Sequence, residues 1–207
     1  MKLLLAIPSL DYMIADFVES LLALVERLNA DGIEHEIKIV KGSLVHMARG
    51  KLAKYAIDKG FTDVLWLDSD MIFQPSLVED LSFCGKSFVT GIAHSRRAPF
   101  GSCLFKKTEG AVERFTLKEY PKEPFKVAAC GFACVLMKTE ILKRTFAING
   151  NAFTPTANTG EDVAFCKRAR AAGFEIWAEP MVRLGHVGHI AIYPEDSERW
   201  NEVYSDD

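Results

Sequence analysis

Three short clusters carry side chains able to do chemistry. The first is Asp68-Ser69-Asp70, where an apolar run, Val64 to Leu67, stops on two carboxylates one residue apart before Met71, Ile72 and Phe73 turn apolar again. Residues i and i+2 of a strand face the same side, so at a strand end both carboxylates can converge on one point. They repel unless something positive lies between them. Mg²⁺ or Mn²⁺ suits such a place, being hard cations that take few protein oxygens and complete their shell with water and phosphate. The plainer alternative is a turn in which one aspartate caps a helix opened by Pro75 and the other is solvated.

The second cluster is Glu161 and Asp162, at the head of TGEDVAFCKRARAAGFEIW, Thr159 to Trp177. The positive end of a helix dipole favours carboxylates, so charge placement alone would account for them, with Arg168 and Arg170 solvated and Val163, Phe165, Cys166 and Ala169 as the buried stripe. The third is RLGHVGH, Arg183 to His189, with two histidines three apart among glycines that permit close approach to a ligand. Either histidine could equally be a hydrogen-bonded loop residue. With a carboxylate pair elsewhere short of a third ligand, His186 is the candidate to supply it.

The elements that must position these clusters alternate. Leu3 to Ile7 reads as a buried strand stopped by Pro8. Asp16 to Leu28 has helical spacing, with Phe17, Leu21, Leu22, Leu24, Val25 and Leu28 on one stripe. HEIKIVKG is an alternating strand closed by Gly42, and Ser43 is the candidate N-cap of a helix through about Asp58, stopped by Gly60. DVLWLDSD is the third strand, Pro75 to Phe83 a short helix and KSFVTGIAH the fourth strand. This βαβα order implies a mostly parallel sheet with helices on both faces. Functional loops then lie at the carboxyl ends of the strands, where Asp68 and Asp70 fall.

The alternation breaks over residues 96–126, read as a hairpin plus loops. VAACGFACVLMK returns to the core, its small residues suggesting close backbone approach. Thr139 caps a short helix, residues 149–159 form a turn-rich, mobile loop, Glu161 to Ala172 is a helix stopped by Gly173, and EIWAEP is a late strand. The acidic tail after Pro194 reads as a surface helix with Trp200 docked.

Composition sets the frame. The 207 residues are 49% hydrophobic, enough for a full core, and the formal charge of −3 is spread along the chain. That gives no nucleic-acid footprint, which needs a clustered basic surface. An anionic ligand must therefore be held by local cations, helix N-termini or a metal. Five cysteines without a CxxC read as buried reduced thiols. MKLLLAIPSL has too short an apolar run for a signal peptide, and no stretch reaches the ~18 apolar residues of a membrane span. The expectation is a soluble, cytoplasmic protein of one domain, residues 1–207.

In this order, the three clusters resemble nucleotide-sugar glycosyltransferases of the GT-A fold, especially the family-2-like group. LDSDM matches the DxD motif, GEDVAFCKRARAAGF the acceptor-side helix and LGHVG the late His-x-Gly element, while AIPSLDY and SLVHMARGKLAKYAIDKG match the first half. The resemblance implies a GT-A, Rossmann-like α/β fold with a mostly parallel sheet and a small antiparallel excursion. It implies a hexosyltransferase-like enzyme using Mn²⁺ or Mg²⁺, a nucleotide-sugar donor (UDP-sugar by family habit) and a hydroxyl acceptor. Asp70 would bind the metal directly, Asp68 would bind it through water or hold the donor ribose, and His186 would be the third ligand. Asp162 would be the general base of an inverting reaction, with Glu161 supporting it or contacting the acceptor. Ile7, Pro8, Ser9 and Tyr12, with Ser69 beside the carboxylates, would form the nucleotide pocket, and Arg49 would reach the base or diphosphate.

The chain lacks the QxxRW element of processive synthases, so membrane-extruding polymer synthesis is not expected. The acceptor side must come from residues 96–126 and 149–159, which carry no decodable motif. His94, Arg96 and Arg97 could contact phosphate or form a solvated basic turn, and Phe100, Phe105 and Tyr120 could face an acceptor or a partner. Two other function classes compete. Phosphoryl or nucleotidyl transfer could use the first aspartate as nucleophile, but such pairs usually sit near the N-terminus. A non-catalytic nucleotide-binding or interaction module on the same scaffold is the other, against which the intact Asp68, Asp70, Asp162 and His186 argue.

Overall fold

The computed structural model describes residues 1–96, 100–109, 112–115 and 121–188. The readings of Arg97, Tyr120, His189 and the tail with Trp200 lie outside these residues. In chain order the elements begin with β1 (Lys2–Pro8), α1 (Ala15–Ala30), β2 (Glu34–Val40), α2 (Val45–Asp58), β3 (Asp63–Leu67), β4 (Met71–Ile72), α3 (Leu77–Phe83) and β5 (Phe88–Ile92). The excursion supplies β6 (Leu104–Lys107), β7 (Val112–Arg114) and β8 (Phe125–Val127). The chain continues with β9 (Ala129–Cys130), β10 (Cys134–Lys138), α4 (Thr139–Asn149), α5 (Glu161–Ala171), β11 (Ile176–Arg183) and β12 (Gly185–His186).

The central sheet has seven strands in the order β2-β1-β3-β10-β5-β11-β8. β2, β1, β3, β5 and β11 run one way, while β10 and β8 run against their neighbours, so the sheet is mostly parallel. β10, the antiparallel member at the centre, pairs with β3 and β5 and is entered from the excursion, not by a helical crossover from either of them. β6 pairs with β7 and β9 in a small antiparallel sheet, which is the hairpin expected of the excursion.

Alternation along the inner strands splits the core in two. Leu4, Ala6, Val64 and Trp66 point to a layer completed by Leu52 and Ala53 of α2, Ile141 and Leu142 of α4 and Phe165 of α5. Leu3, Leu5, Ile7, Leu65 and Leu67 point to the other, completed by Phe17, Leu21 and Leu24 of α1 and Leu81 of α3. Helices thus cover both faces, and strands buried on both sides read as the continuous apolar runs seen in the sequence. The first layer is dense in aromatics: Phe132 packs edge-on to Trp66, Phe88, Phe153 and Phe165.

Several local expectations need correction. Leu22 of the α1 stripe is exposed and Val25 only partly buried, because one helix face is narrower than the stripe assumed. α2 begins at Val45 with Leu44 at its N-cap, and the Ser43 hydroxyl donates to the Leu44 carbonyl instead of capping. Thr139 is the first residue of α4, not its cap, and its hydroxyl is buried without a protein partner. The segment 149–159 is anchored: Ala152 and Phe153 are fully buried, and Arg168 Nη1 donates to the carbonyls of Ala152 and Thr154. Arg168 and Arg170 are therefore not simply solvated, since Arg170 also reaches the Ala128 carbonyl. All five cysteines are free thiols; Cys130, Cys134 and Cys166 are buried, and Cys84 and Cys103 partly so.

Candidate functional site

β3 ends at Leu67, and the next three residues form a turn at its carboxyl end. The Asp68 N–H donates to the carbonyl of Ala133, the residue just before β10, and the Met71 N–H donates back to the Asp68 carbonyl. β4 then pairs antiparallel with β12, setting Met71 opposite His186 and Ile72 opposite Gly185. A Cβ on Gly185 would come within 3.1 Å of Ile72 Cβ, so glycine there permits the close strand approach. The Val187 N–H closes the join on the Asp70 carbonyl at 2.9 Å. This ladder brings a histidine over a hundred residues downstream against the carboxylate pair.

Around Asp70 the side chains interlock. Its Oδ2 accepts from Arg96 Nη1 and stands 3.5 Å from His186 Nε2. His186 Nδ1 is 2.7 Å from the His94 carbonyl, which can only accept, so Nδ1 carries the proton and Nε2 turns its other face to Asp70. Burial alone would raise the Asp70 carboxyl, but His186 and Arg96 together draw it below the ordinary aspartate value. The same contact raises His186.

Asp68 is held differently. Arg49, buried to 3% exposure on α2, donates Nη2 to Asp68 Oδ1 at 2.8 Å and Nη1 to Glu161 Oε1 at 2.5 Å. The guanidinium lies over the Phe132 ring, 5.2 Å from its centroid. Burial is the leading influence on Asp68 and raises its carboxyl despite Arg49. One arginine therefore ties the end of β3 to the first turn of α5. Neither aspartate caps α3, whose N-cap is Ser76.

Asp162 follows Glu161 on α5. Burial raises its carboxyl above the ordinary range; the Val163 N–H, 2.7 Å from Oδ1, opposes this and Glu161 adds to it. A Cβ on Gly131 would stand 3.8 Å from Asp162 Oδ2 and 3.3 Å from Cys103 Cβ, so the small residue keeps the space beside this carboxylate open.

A cavity of about 560 Å³ lies over the carboxyl ends of β1 and β3. Pro8, Ser9 and Tyr12 line it together with Asp68, Ser69, Asp70, Arg96 and His186. Its volume suits a small-molecule ligand. Ile7 is in the core, and Arg49 stands behind Asp68 rather than on the cavity wall. Glu161 and Asp162 are outside its lining; Glu161 connects to Asp68 through Arg49. Sequence reasoning did not find the Arg49–Glu161 pair, the Arg96–Asp70 pair or the His94 carbonyl behind His186. The basic residues were visible, but their partners come from elements far away in sequence.

A divalent cation can be tested against this donor set. Among the described residues no group of three histidine, cysteine or acidic side chains is gathered closely enough to hold an ion. Asp70 and His186 fit as a pair, one hard carboxylate oxygen beside a ring nitrogen whose opposite N–H is fixed on a carbonyl, the usual support of a ligating imidazole. Asp68, held by Arg49, suits an indirect contact through water.

No protein-family model and no curated protein matches the chain. Among solved structures, it is similar to A197 from STIV, at 22% identity and TM-score 0.58 over 91% of this chain and 87% of that one. It is also similar to a protein assigned as a glucose-1-phosphate thymidylyltransferase from Bacillus anthracis, in complex with sucrose, at 11% identity and TM-score 0.52 over 100% and 96% of the two chains. A Drosophila galactosyltransferase 7 mutant in complex with manganese, UDP-Gal and xylobiose aligns at 13% identity and TM-score 0.47, over 96% of this chain and 79% of that one. At these identities the likenesses bear on architecture alone, and the first two, with the sheet order, give the chain a mixed α/β fold around a mostly parallel sheet.

Proposed function

We propose that the chain is a glycosyltransferase that moves a hexose from a nucleotide-diphosphate sugar, with a UDP-sugar as the first donor to test, to a hydroxyl acceptor. The observation that carries this reading is that Asp68, Asp70 and His186 line one cavity together with Pro8, Ser9 and Tyr12. That cavity lies at the carboxyl ends of parallel strands, where open α/β sheets bind nucleotides. No described helix is long and apolar enough to cross a membrane.

Asp70 and His186 would hold Mn²⁺ or Mg²⁺, with Asp68 contacting its water shell or the donor ribose. Bound there, the cation supplies positive charge to the departing diphosphate. The chain's own residues do the rest. Arg49 fixes the Asp68 carboxylate so that it keeps one orientation toward the cavity. Ser9 and Tyr12 form the nucleoside wall, and the Ser9 hydroxyl is itself oriented by a bond to the Tyr12 carbonyl. Asp162 accepts the proton of the acceptor hydroxyl as that oxygen attacks the anomeric carbon and the bond to the diphosphate breaks, which inverts the configuration there. Its raised pKa makes it a stronger base than a solvated aspartate. Glu161, pinned by Arg49, sets the first turn of α5 and so the direction of Asp162.

The test is product analysis with a panel of labelled nucleotide sugars and Mn²⁺, in wild type and in Asp162→Asn. Label leaving the donor in a metal-dependent way and lost in the variant supports the assignment. Unchanged turnover in Asp162→Asn removes the base. Metal-dependent nucleotide binding with no turnover for any donor would favour the binding-module alternative.

A further inference from the structure

Each carboxylate of the DSD turn already has an arginine, but the two arginines differ. Arg49 is buried and shared between Asp68 and Glu161, so it cannot leave one without stranding the other. Arg96 holds Asp70 alone among the described carboxylates, and its side chain is 45% exposed. It lines the main cavity and a smaller adjoining one of about 240 Å³, together with His186. The oxygen it occupies, Asp70 Oδ2, is the one that faces His186 Nε2.

We propose that Arg96 is an exchangeable counter-ion. It neutralises Asp70 while the cavity is empty, and when a divalent cation engages Asp70 and His186 it turns to an anionic diphosphate in the same cavity. The inference rests on the metal–diphosphate reading above. A guanidinium and a dication compete for one carboxylate oxygen and repel each other. Arg96 lines the cavity that the ligand would fill, and a planar guanidinium fork matches phosphate oxygens. Arg96 thus opposes the cation when no anion is present and assists the anion once the cation is bound.

This gives two effects of opposite sign from one substitution. Calorimetric titration of the full chain with MnCl₂ alone is expected to show Arg96→Gln binding Mn²⁺ roughly three- to fivefold tighter than wild type, the scale of losing one partly exposed competing ion pair. Titration with inorganic pyrophosphate at saturating Mn²⁺ is expected to show the same variant binding roughly tenfold more weakly, the scale of one charge-assisted phosphate contact. Arg96→Lys should recover part of the pyrophosphate affinity. An unaltered thermal midpoint serves as the folding control. Unchanged or weaker Mn²⁺ binding in Arg96→Gln, or unchanged pyrophosphate binding, overturns the proposal while leaving the metal reading intact. If neither wild type nor variant binds Mn²⁺, the proposal and the metal reading fall together.

Discussion

Replacing Arg49 tests whether one buried guanidinium joins the two halves of the site. Arg49→Met keeps most of the side chain's volume and its contact with Phe132, but leaves Asp68 and Glu161 without their cation. Breaking a buried ion pair by removing one partner costs about 3–5 kcal/mol. The Asp68 and Glu161 side chains keep 30% and 19% exposure. Water can therefore partly rehydrate them, which puts the expected loss near the lower end, about 3 kcal/mol at neutral pH. The pH dependence is the sharper signature. In the variant Asp68 loses the cation that opposes its burial, so its pKa climbs further and protonation relieves the penalty as pH falls through that value. In wild type burial already raises Asp68, so acid also favours the folded state through that carboxyl, but by less than in the variant, because Arg49 keeps the shift smaller. The two proteins should therefore differ most near neutral pH and converge in acid. Urea unfolding of both at about pH 7.5 and about pH 4.5 measures this through the linear extrapolation of stability. A deficit under about 1 kcal/mol near neutrality, or one that does not shrink in acid, would refute the buried-strut reasoning.

Other consequences follow from the same geometry. Asp162→Asn should retain nucleotide binding but lose transfer by roughly 10²- to 10⁴-fold, as measured by steady-state kinetics beside a binding titration. In wild type, kcat/KM should rise with pH through a pKa above the ordinary aspartate range, because the base must be ionised and burial, with help from Glu161, holds its proton longer. A profile flat through that region would contradict the assignment. Phe132→Ala should cost about 3–5 kcal/mol in urea unfolding, since the ring is buried among four other aromatic rings and the cavity left behind cannot easily collapse. Gly91→Ala places a Cβ 2.7 Å from side-chain carbons of Leu184 and Val182, and the forced repacking should cost about 1–3 kcal/mol.

Much of the fold was legible because strands buried on both faces leave continuous apolar runs, and helices between them leave a one-sided stripe. Leu3 to Ile7 and Val64 to Leu67 carried the parallel core on those grounds. The direction of β10 was not legible, since VAACGFACVLMK has the composition of a parallel core strand and its sense shows only in its pairing with β3 and β5. The caps at Ser43 and Thr139 failed because a small polar residue before an apolar helix can also face a cavity or the core. Within the site, the carboxylates and His186 announced themselves by residue type, and their convergence followed from strand ends. Arg49 and Arg96 gave weaker signals: an arginine in a helix or after a strand looks solvated until the fold supplies Glu161, Asp68 or Asp70 as its partner. The anchoring of residues 149–159 was hidden in the same way, because their turn-rich composition says nothing of Arg168 reaching back to their carbonyls.

The central claim is that the DSD turn and His186 form a metal-dependent diphosphate clamp. The most direct measurement is calorimetric titration of the protein with UDP and GDP, with Mn²⁺ and then with EDTA, in wild type and Asp70→Ala. The account predicts binding of one nucleotide that requires the metal and is weakened at least about tenfold in the variant. Nucleotide binding that is indifferent to EDTA and to Asp70→Ala would contradict it.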